Sequence, residues 1–339
     1  MSDTRTKNHI LENLLTQAWQ SRGLIPCLLL PFSAIFFLIV FFRRIFYRLG
    51  IFDTTTLSVP VIVVGNIFIG GTGKTPLVIW LVSVLRAHGY SPGVISRGYG
   101  AKADTVIETR PELSAAQTGD EPLLIARKCQ VPVFVGRDRV AAARGLLAAY
   151  PGTDVIISDD GLQHYALGRT MEIQLSDTRG HGNGWLLPAG PLREPASRRC
   201  DFYVINGGAS VLSPQTYRMQ VTGAHAEQMV DREQRLALSS MNHRCVAAVA
   251  GIGHPERFFE MLRSQGVVLE SALALPDHFD FFTNPFADMK ADIILITEKD
   301  AVKCGRTPGS AQDTRLWVVP VEASIAEPLA QDILEKLRG

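Results

Sequence analysis

The run Val59-Pro60-Val61-Ile62-Val63-Val64-Gly65 is followed by Gly70-Gly71-Thr72-Gly73-Lys74-Thr75 and then by the stretch Pro76 to His88. This segment decides the fold. An apolar strand, a glycine loop, a Lys-Thr pair and a helical stretch come in the order a phosphate-binding P-loop requires. Glycines let backbone N–H groups close around phosphate oxygens with no Cβ in the way, and the helix N-terminus adds partial positive charge. Lys74 is placed to reach the β- and γ-phosphates, and the Thr75 hydroxyl to hold Mg²⁺. Gly70, Gly71, Thr72, Gly73, Lys74 and Thr75 are therefore the expected nucleotide-binding residues. The strict pattern wants a further glycine where this chain has Phe68, and the Gly70-Gly71 pair supplies flexibility instead. Membrane-cycling ATPases carry a lysine just before the glycine pair; Ile69 stands there and counts against that class.

At 339 residues the chain is long enough for two domains with full cores. A net charge of +1 gives no field to attract nucleic acid. Cys27, Cys129, Cys200, Cys245 and Cys304 form no CxxC pair, so neither a zinc site nor a disulfide framework is expected. They read as small apolar residues in a reducing compartment.

Leu24 to Phe42 carries no charge, and as one helix it would extend roughly 28 Å, just enough for a hydrocarbon core. A break at Pro31 would leave Phe32 to Phe42, too short to span. Arg43, Arg44 and Arg48 follow, with Tyr47 among them, as interfacial anchors. A spanning helix, a helix lying in one leaflet and a buried core helix compete here. The phenylalanines without a polar face favour membrane contact. The flanking arginines put the rest of the chain on the cytoplasmic side.

Beyond the loop, strand and helix patterns alternate as in a parallel sheet covered on both faces. The strands are Val59–Val64, Gly93–Ser96, Val131–Val135, Val155–Ser158, Met171–Leu175 and Phe202–Ile205, and the helices include Glu121–Cys129 and Arg139–Tyr150. Gly207-Gly208 interrupts the rhythm. Strands Tyr217–Val221, Val246–Ala250, Val267–Leu273 and Ile293–Thr297 and helices Pro255–Ser264 and Ala326–Leu337 then suggest a second, smaller α/β domain. The expected organisation is an apolar membrane-associated segment (1–50), a P-loop NTPase-like parallel-sheet domain (51–206) and a smaller C-terminal α/β domain (207–339).

Ligands should gather at the C-terminal strand ends. Val155-Ile156-Ile157-Ser158-Asp159-Asp160 is an apolar strand ending in acid. After a P-loop in the same unit, Asp159 and Asp160 read as Mg²⁺ ligands with Thr75; a plain Asp-Asp-Gly turn is the alternative. Gly119-Asp120-Glu121-Pro122 opens a helix, where Asp120 could simply cap. Phosphoryl transfer to an alcohol, however, needs a carboxylate or imidazole to take the hydroxyl proton, and His278 in Pro276-Asp277-His278-Phe279 could partner that acid. Arg97, Arg137, Arg139 and Arg193 lie near strand ends or in a proline-rich loop and suit phosphate through their forked donors, although each alone is as compatible with a surface ion pair. Thr297-Glu298-Lys299-Asp300 reads as a helix capping box.

Taken in order, Val64-Gly65-Asn66, the Gly-Gly-Thr-Gly-Lys-Thr-Pro loop, Ser96-Arg97-Gly98-Tyr99-Gly100, Gly119-Asp120-Glu121-Pro122 and Asp159-Asp160-Gly161-Leu162-Gln163-His164 form a series. It continues through Gly182 to Pro195, with Leu187-Pro188-Ala189-Gly190-Pro191-Leu192-Arg193-Glu194-Pro195, Pro276-Asp277-His278 and Thr297 to Lys303. Over nearly its whole length the chain resembles the tetraacyldisaccharide 4'-kinase family of Gram-negative lipid A biosynthesis. The resemblance implies two α/β/α units with the active site between them. It implies transfer of the ATP γ-phosphoryl group to the 4'-hydroxyl of an acylated glucosamine disaccharide 1-phosphate, giving lipid IV-A. It also implies base catalysis by an Asp–His pair, which maps onto Asp120 and His278. Gln163 joins Arg97, Arg137 and Arg193 as a candidate phosphate or substrate contact. The implied partners are ATP with Mg²⁺, the glycolipid and the cytoplasmic face of the inner membrane; no nucleic acid or protein partner is implied. The rival reading is a membrane-bound P-loop GTPase or ATPase switch acting through partner binding.

Overall fold

A computed structural model describes residues 15–98, 105–208, 213–305 and 309–339. Tyr99 and Gly100 of the Ser96–Gly100 motif lie outside these residues.

The apolar run before the glycine loop forms β1 (Val61–Gly65), buried along its whole length. Alternation sends Ile62 and Val64 into one core and Val61 and Val63 into the other, so the strand is covered on both faces. It runs parallel to β5 (Val155–Asp159) on one side and β6 (Met171–Asp177) on the other. The register sets Val64 against Asp159, so the P-loop and the acid pair leave neighbouring strand ends. Outward from this centre the sheet adds β2 (Pro92–Ser96), β3 (Ile107–Glu108), β4 (Val133–Val135), β7 (Phe202–Asn206), β8 (Thr216–Thr222) and β15 (Glu322–Ile325), giving nine strands in the order β15-β8-β7-β6-β1-β5-β2-β4-β3. The helix after the P-loop, Lys74–Ala87, packs Leu77, Leu81 and Leu85 onto the face carrying Ile62 and Val64.

The second sheet has six strands in the order β10-β9-β14-β13-β11-β12. They are β9 (His225–Gln228), β10 (Arg235–Ala237), β11 (Val246–Ala250), β12 (Leu269–Ala274), β13 (Ile293–Thr297) and β14 (Leu316–Val319). Strands β11 to β14 are mutually parallel, and β9 and β10 close one edge antiparallel.

The division between sheets does not follow the expected boundary at 207. Strands β8 and β15 and the helix Glu327–Arg338, whose Leu329 and Ile333 enter the core of β1, all belong with the first sheet. The second sheet therefore occupies only 225–319. The chain leaves at Gly223 and returns at Pro320, so close together that a Cβ on Gly223 would stand 2.9 Å from the Pro320 carbonyl oxygen. A late return of the chain to an earlier sheet has no local pattern to announce it.

The N-terminal apolar segment forms one helix, α1 (Leu24–Arg48), of 25 residues. Pro31 lies inside it, so the expected break does not occur. Pro26 sits in the first turn, where backbone N–H groups have no partner to lose. The core-helix reading is overturned, since Leu24, Phe32, Ile35, Ile39 and Phe42 are all exposed. One narrow face docks instead. The Ser33 hydroxyl donates to the Leu186 carbonyl at 2.8 Å, and the Trp19 indole N–H, just before the helix, donates to the Pro188 carbonyl at 2.9 Å. Tyr47 and Arg43 lie against the Tyr165 ring, with centroid distances of 5.6 Å each.

The receiving loop, Gly182 to Pro195, is tightly built. A Cβ on Gly190 would stand 2.3 Å from both Asn183 Oδ1 and the Trp185 carbonyl oxygen. Gly190→Ala is therefore expected to destabilise the protein by about 1–3 kcal/mol and to loosen α1. Thermal unfolding of the variant against the parent checks this.

Candidate active site

The P-loop is held open by its neighbours rather than by itself. Gly70 and Gly73 have φ of 98° and 97°, a region that L side chains avoid. A Cβ on Gly73 would fall 2.5 Å from Asn206 Nδ2. Asn66 donates through Nδ2 to the Gly70 carbonyl and to Thr72 Oγ1, both at 3.2 Å. Asn206, at the end of β7, donates to the Thr72 carbonyl at 2.9 Å, and Arg179 donates to the Gly71 carbonyl at 3.0 Å. Phe68, standing where the strict pattern wants glycine, is buried and carries the Arg179 guanidinium 4.6 Å over its ring. It anchors the base of the loop and takes no part in the phosphate cradle.

Lys74 opens the helix and points back across the loop. Its Nζ lies 3.4 Å from Asn66 Oδ1 and 3.5 Å from Asp160 Oδ1. Asp160 adopts φ of 51°, a left-handed conformation that aspartate tolerates better than most residues, and its other oxygen takes Arg193 Nη1 at 3.1 Å. Burial opposes ionisation of Asp160, but Lys74 and Arg193 outweigh it and hold its pKa below the usual carboxylate value.

Asp159 behaves oppositely. Complete burial, helped by the negative charges of Glu121 and Asp160, pushes its pKa up to about 7 against the pull of Lys74 and Arg139. Ser96 Oγ donates to its Oδ2 at 3.2 Å, while Oδ1 is buried without a hydrogen-bond partner. Asp160 Oδ1 is likewise without one. A buried Asp159 oxygen lacking any donor, and an Asp160 oxygen that faces Lys74 at 3.5 Å, fit a hard cation near a phosphate loop. Among the described residues no three His, Cys, Asp or Glu side chains form a metal-binding group.

The opposite wall comes from the carboxyl ends of β11, β12 and β13. Gly253 approaches the P-loop so closely that a Cβ there would stand 2.6 Å from the Gly71 nitrogen. Between the walls lies a cleft lined by Gly71 to Pro76, Ile79, Glu121, Asn206, Val221, Ile252, Phe258, Met261, Lys299 and Val319. Its apolar walls suit a nucleobase and its glycine end suits phosphates.

Asp120 and His278 meet between the two units, next to the cleft residues Glu121 and Lys299, with His278 Nδ1 2.9 Å from Asp120 Oδ2. Asp120 is the first residue of the helix Asp120–Cys129, one place past the N-cap Gly119. Its Oδ1 accepts the first-turn Glu121 N–H at 2.9 Å, which leaves Oδ2 to His278. Burial opposes the Asp120 charge, yet the His278 hydrogen bond and the charges of Lys299 and Lys303 hold its pKa well below the carboxylate range. An ionised carboxylate only accepts, so Nδ1 carries the shared proton. His278 has φ of 57°, an uncommon conformation for a residue with a Cβ and one found at functional sites.

The other sequence candidates separate. Arg193 joins the acid pair, and Gln163 Nε2 donates to the Asn66 carbonyl at 3.2 Å, behind the loop. Arg97 and Arg137 are exposed at strand ends. Arg139 is buried, donates to the Gly136 and Asp159 carbonyls and has its pKa lowered to about 10 by burial, so it braces the site from beneath. Thr297 Oγ1 does accept the Asp300 N–H, but the Asp300 carboxylate bonds the Thr297 hydroxyl and the Gly251 N–H in place of the reciprocal cap bond. Sequence reasoning missed Asn66, Arg179, Asn206, Lys299 and Lys303. Asn66 stood in plain view beside the loop; Asn206 gave no signal beyond its place at a strand end.

A family model described as tetraacyldisaccharide-1-P 4'-kinase matches residues 25–338. The chain is 58% identical over 337 residues to the tetraacyldisaccharide 4'-kinase of Janthinobacterium sp. (strain Marseille), covering 97% of each. It is 52% identical over 344 residues to that of Herminiimonas arsenicoxydans, covering 97% of this chain and 96% of the other. Its structure is similar to a crystal structure of LpxK from Aquifex aeolicus in complex with ATP, with a TM-score of 0.78 and 27% identity over 93% of this chain and 100% of that one.

The raised pKa of Asp159 has a measurable consequence. The unfolded carboxyl loses its proton near its ordinary value, whereas the folded one keeps it to about 7, so stability falls as pH rises through that window. Asp159→Asn removes the burden. It is expected to raise the melting temperature of the nucleotide-free protein by about 3–6 °C at pH 8, and by less at pH 5, while abolishing turnover. Calorimetry at the two pH values checks the sign.

Proposed function

The chain belongs to the tetraacyldisaccharide-1-P 4'-kinase family, and from that premise we propose how its residues carry out the reaction. It is an ATP-dependent kinase that phosphorylates the 4'-hydroxyl of a tetraacylated disaccharide 1-phosphate in lipid A biosynthesis. The switch reading has nothing in its favour, because the family's activity requires a lipid acceptor.

The hydrogen bond between Asp120, in the P-loop's own unit, and His278, from the second sheet's unit, carries the assignment of roles. The triphosphate lies on the Gly70–Thr75 loop, with Lys74 against its terminal phosphates. On this arrangement Lys74 exchanges Asp160 for the transferring phosphoryl group and offsets the charge that develops there. Thr75, Asp159 and Asp160 are the residues that would hold Mg²⁺, which when bound neutralises phosphate charge and orients the leaving group. The donor-less Asp159 Oδ1 supports this reading. His278 takes the proton of the 4'-hydroxyl through Nε2, while Asp120 holds the ring orientation and stabilises the imidazolium. Arg193, which pairs with Asp160, is on this arrangement freed as phosphates arrive to meet an acceptor or nucleotide phosphate. Arg97 and Arg137 are exposed candidates for the substrate's 1-phosphate. Residues 225–319 form the smaller unit and the remainder the kinase unit.

We assign α1 to the membrane surface, on the cytoplasmic face of the inner membrane where ATP is available. Its exposed leucines, isoleucines and phenylalanines and the basic cluster Arg43, Arg44 and Arg48 support this. A substrate with four acyl chains stays in the bilayer, so the acceptor site must approach it.

The test of function is transfer of labelled γ-phosphate from ATP to tetraacyldisaccharide 1-phosphate by the purified protein. Turnover is expected only with lipid present. Lys74→Ala should abolish it. Asp120→Ala and His278→Ala should each lower kcat by ~10²-fold or more, and the double variant should lose little beyond either single one. Lipid-independent ATP hydrolysis, or losses that multiply in the double variant, would remove the paired-base assignment.

The membrane assignment has its own check. Replacing Phe32, Ile39 and Phe42 together by Gln is expected to cut co-sedimentation with anionic vesicles by about tenfold and leave ATP affinity unchanged. Undiminished vesicle binding would place the membrane contact elsewhere.

A further inference from the structure

Lys303 lies one turn beyond Lys299 on the helix Glu298–Cys304 and is 8% exposed. Its ammonium is buried with no hydrogen-bond partner. Around it stand Asp300 Oδ1 at 3.3 Å, Asp120 Oδ2 at 3.6 Å and the Phe281 ring, whose centroid is 5.4 Å away. Burying a cation on these terms is a poor way to stabilise a fold, because desolvation offsets most of the Coulomb gain. Asp300 takes the Thr297 hydroxyl and the Gly251 N–H through Oδ2, so Lys303 faces its otherwise unpartnered Oδ1. The second anion is Asp120, and the oxygen Lys303 faces there is the one that holds His278 Nδ1.

We propose that Lys303 is a positioning residue for phosphoryl transfer, a fixed cation that tempers the Asp120 charge so that His278 meets the substrate hydroxyl as a neutral imidazole. This rests on the Asp120–His278 assignment made above. A lone carboxylate beside an imidazole favours the imidazolium, which cannot accept a proton. An ammonium on the same carboxylate oxygen offsets part of that attraction.

The other charges facing Asp120 are accounted for. Lys299 is farther from it, at 3.9 Å, and is drawn off by Glu121 at 3.1 Å and Asp277 at 3.5 Å. Asp277 also lies 3.9 Å from His278 Nε2 and adds negative charge at the ring. Lys128, from the Asp120 helix, is occupied by Glu298 at 2.8 Å. Lys303 thus bridges Asp120 to Asp300, with only these two carboxylates beside its ammonium, whereas Lys299 is shared among three.

The test is the pH profile of kcat/KM for full-length Lys303→Met, with detergent-dispersed tetraacyldisaccharide 1-phosphate and Mg-ATP. The acid limb is expected to move up by about one pH unit, so activity at pH 6 falls about tenfold while the plateau near pH 8.5 changes less than about threefold. KM for ATP should stay within about twofold. Lys303→Arg, which keeps the charge, should leave the limb near that of the parent. In an Asp120→Asn background the same lysine substitution should no longer move it. A parental profile in Lys303→Met overturns the proposal, as does an equal loss at all pH values. If Lys303→Met does not fold, Lys303→Gln is measured in its place; failure of both neutral variants to fold assigns Lys303 to the architecture and also overturns the proposal. His278→Ala separates the two readings. If it retains activity, the paired-base assignment itself falls. If it is inactive while Lys303→Met has the parental profile, only the role of Lys303 falls.

Discussion

A buried carboxylate must find positive partners, and Asp120 finds its partners on the other sheet. It opens a helix of the nine-stranded unit and is 4% exposed, yet His278, Lys299 and Lys303 all come from the six-stranded unit. Without them the charge would stand uncompensated in a low-dielectric cleft, at a cost of several kcal/mol by the usual scale for buried ions. The two sheets are thus joined at the pair proposed to take the acceptor proton, by groups that need each other electrically. The Lys128–Glu298 and Glu121–Lys299 pairs continue the same seam between the two helices.

The phosphate side of the cleft follows a complementary logic. Asp159 and Asp160 crowd together beside Lys74, and burial raises the first while lysine and arginine lower the second. Asp159, held this way, costs stability in the free protein above its raised pKa, whereas the paired Asp160 does not. The backbone tells the same story. Asp160 and His278, one from each wall, hold left-handed conformations that the surrounding hydrogen bonds enforce.

Much of this was legible in the sequence because local chemistry wrote it there. Strand β1 and the P-loop follow from an apolar run, glycines at positive φ and a Lys-Thr pair, and the helix Pro255–Ser264 and strands Val246–Ala250 and Ile293–Thr297 fall within the residues expected. Strands β3, β9, β10 and β15 are short and partly exposed, so no apolar pattern marked them. The Leu-Trp-Val-Val strand β14 did carry an apolar signal, and it went unread. Pro31 left the helix's length open, because a proline cost applies to a helix interior without saying whether the rest of the helix absorbs it. The return of β15 and the last helix to the first sheet is a long-range fact that no window of sequence contains. Lys303 belongs to the same class: its role depends on a carboxylate far away in the chain.

The central claim is that Asp120 fixes His278 as the Nδ1–H tautomer, leaving Nε2 to act as the base. Nitrogen-15 NMR of the histidine-labelled protein at neutral pH, with His278 assigned by its absence in His278→Ala, tests this directly. The account predicts a protonated Nδ1 with a downfield-shifted proton, and loss of that proton signal in Asp120→Ala. A His278 ring protonated at Nε2 alone, or one indifferent to removal of Asp120, would contradict it.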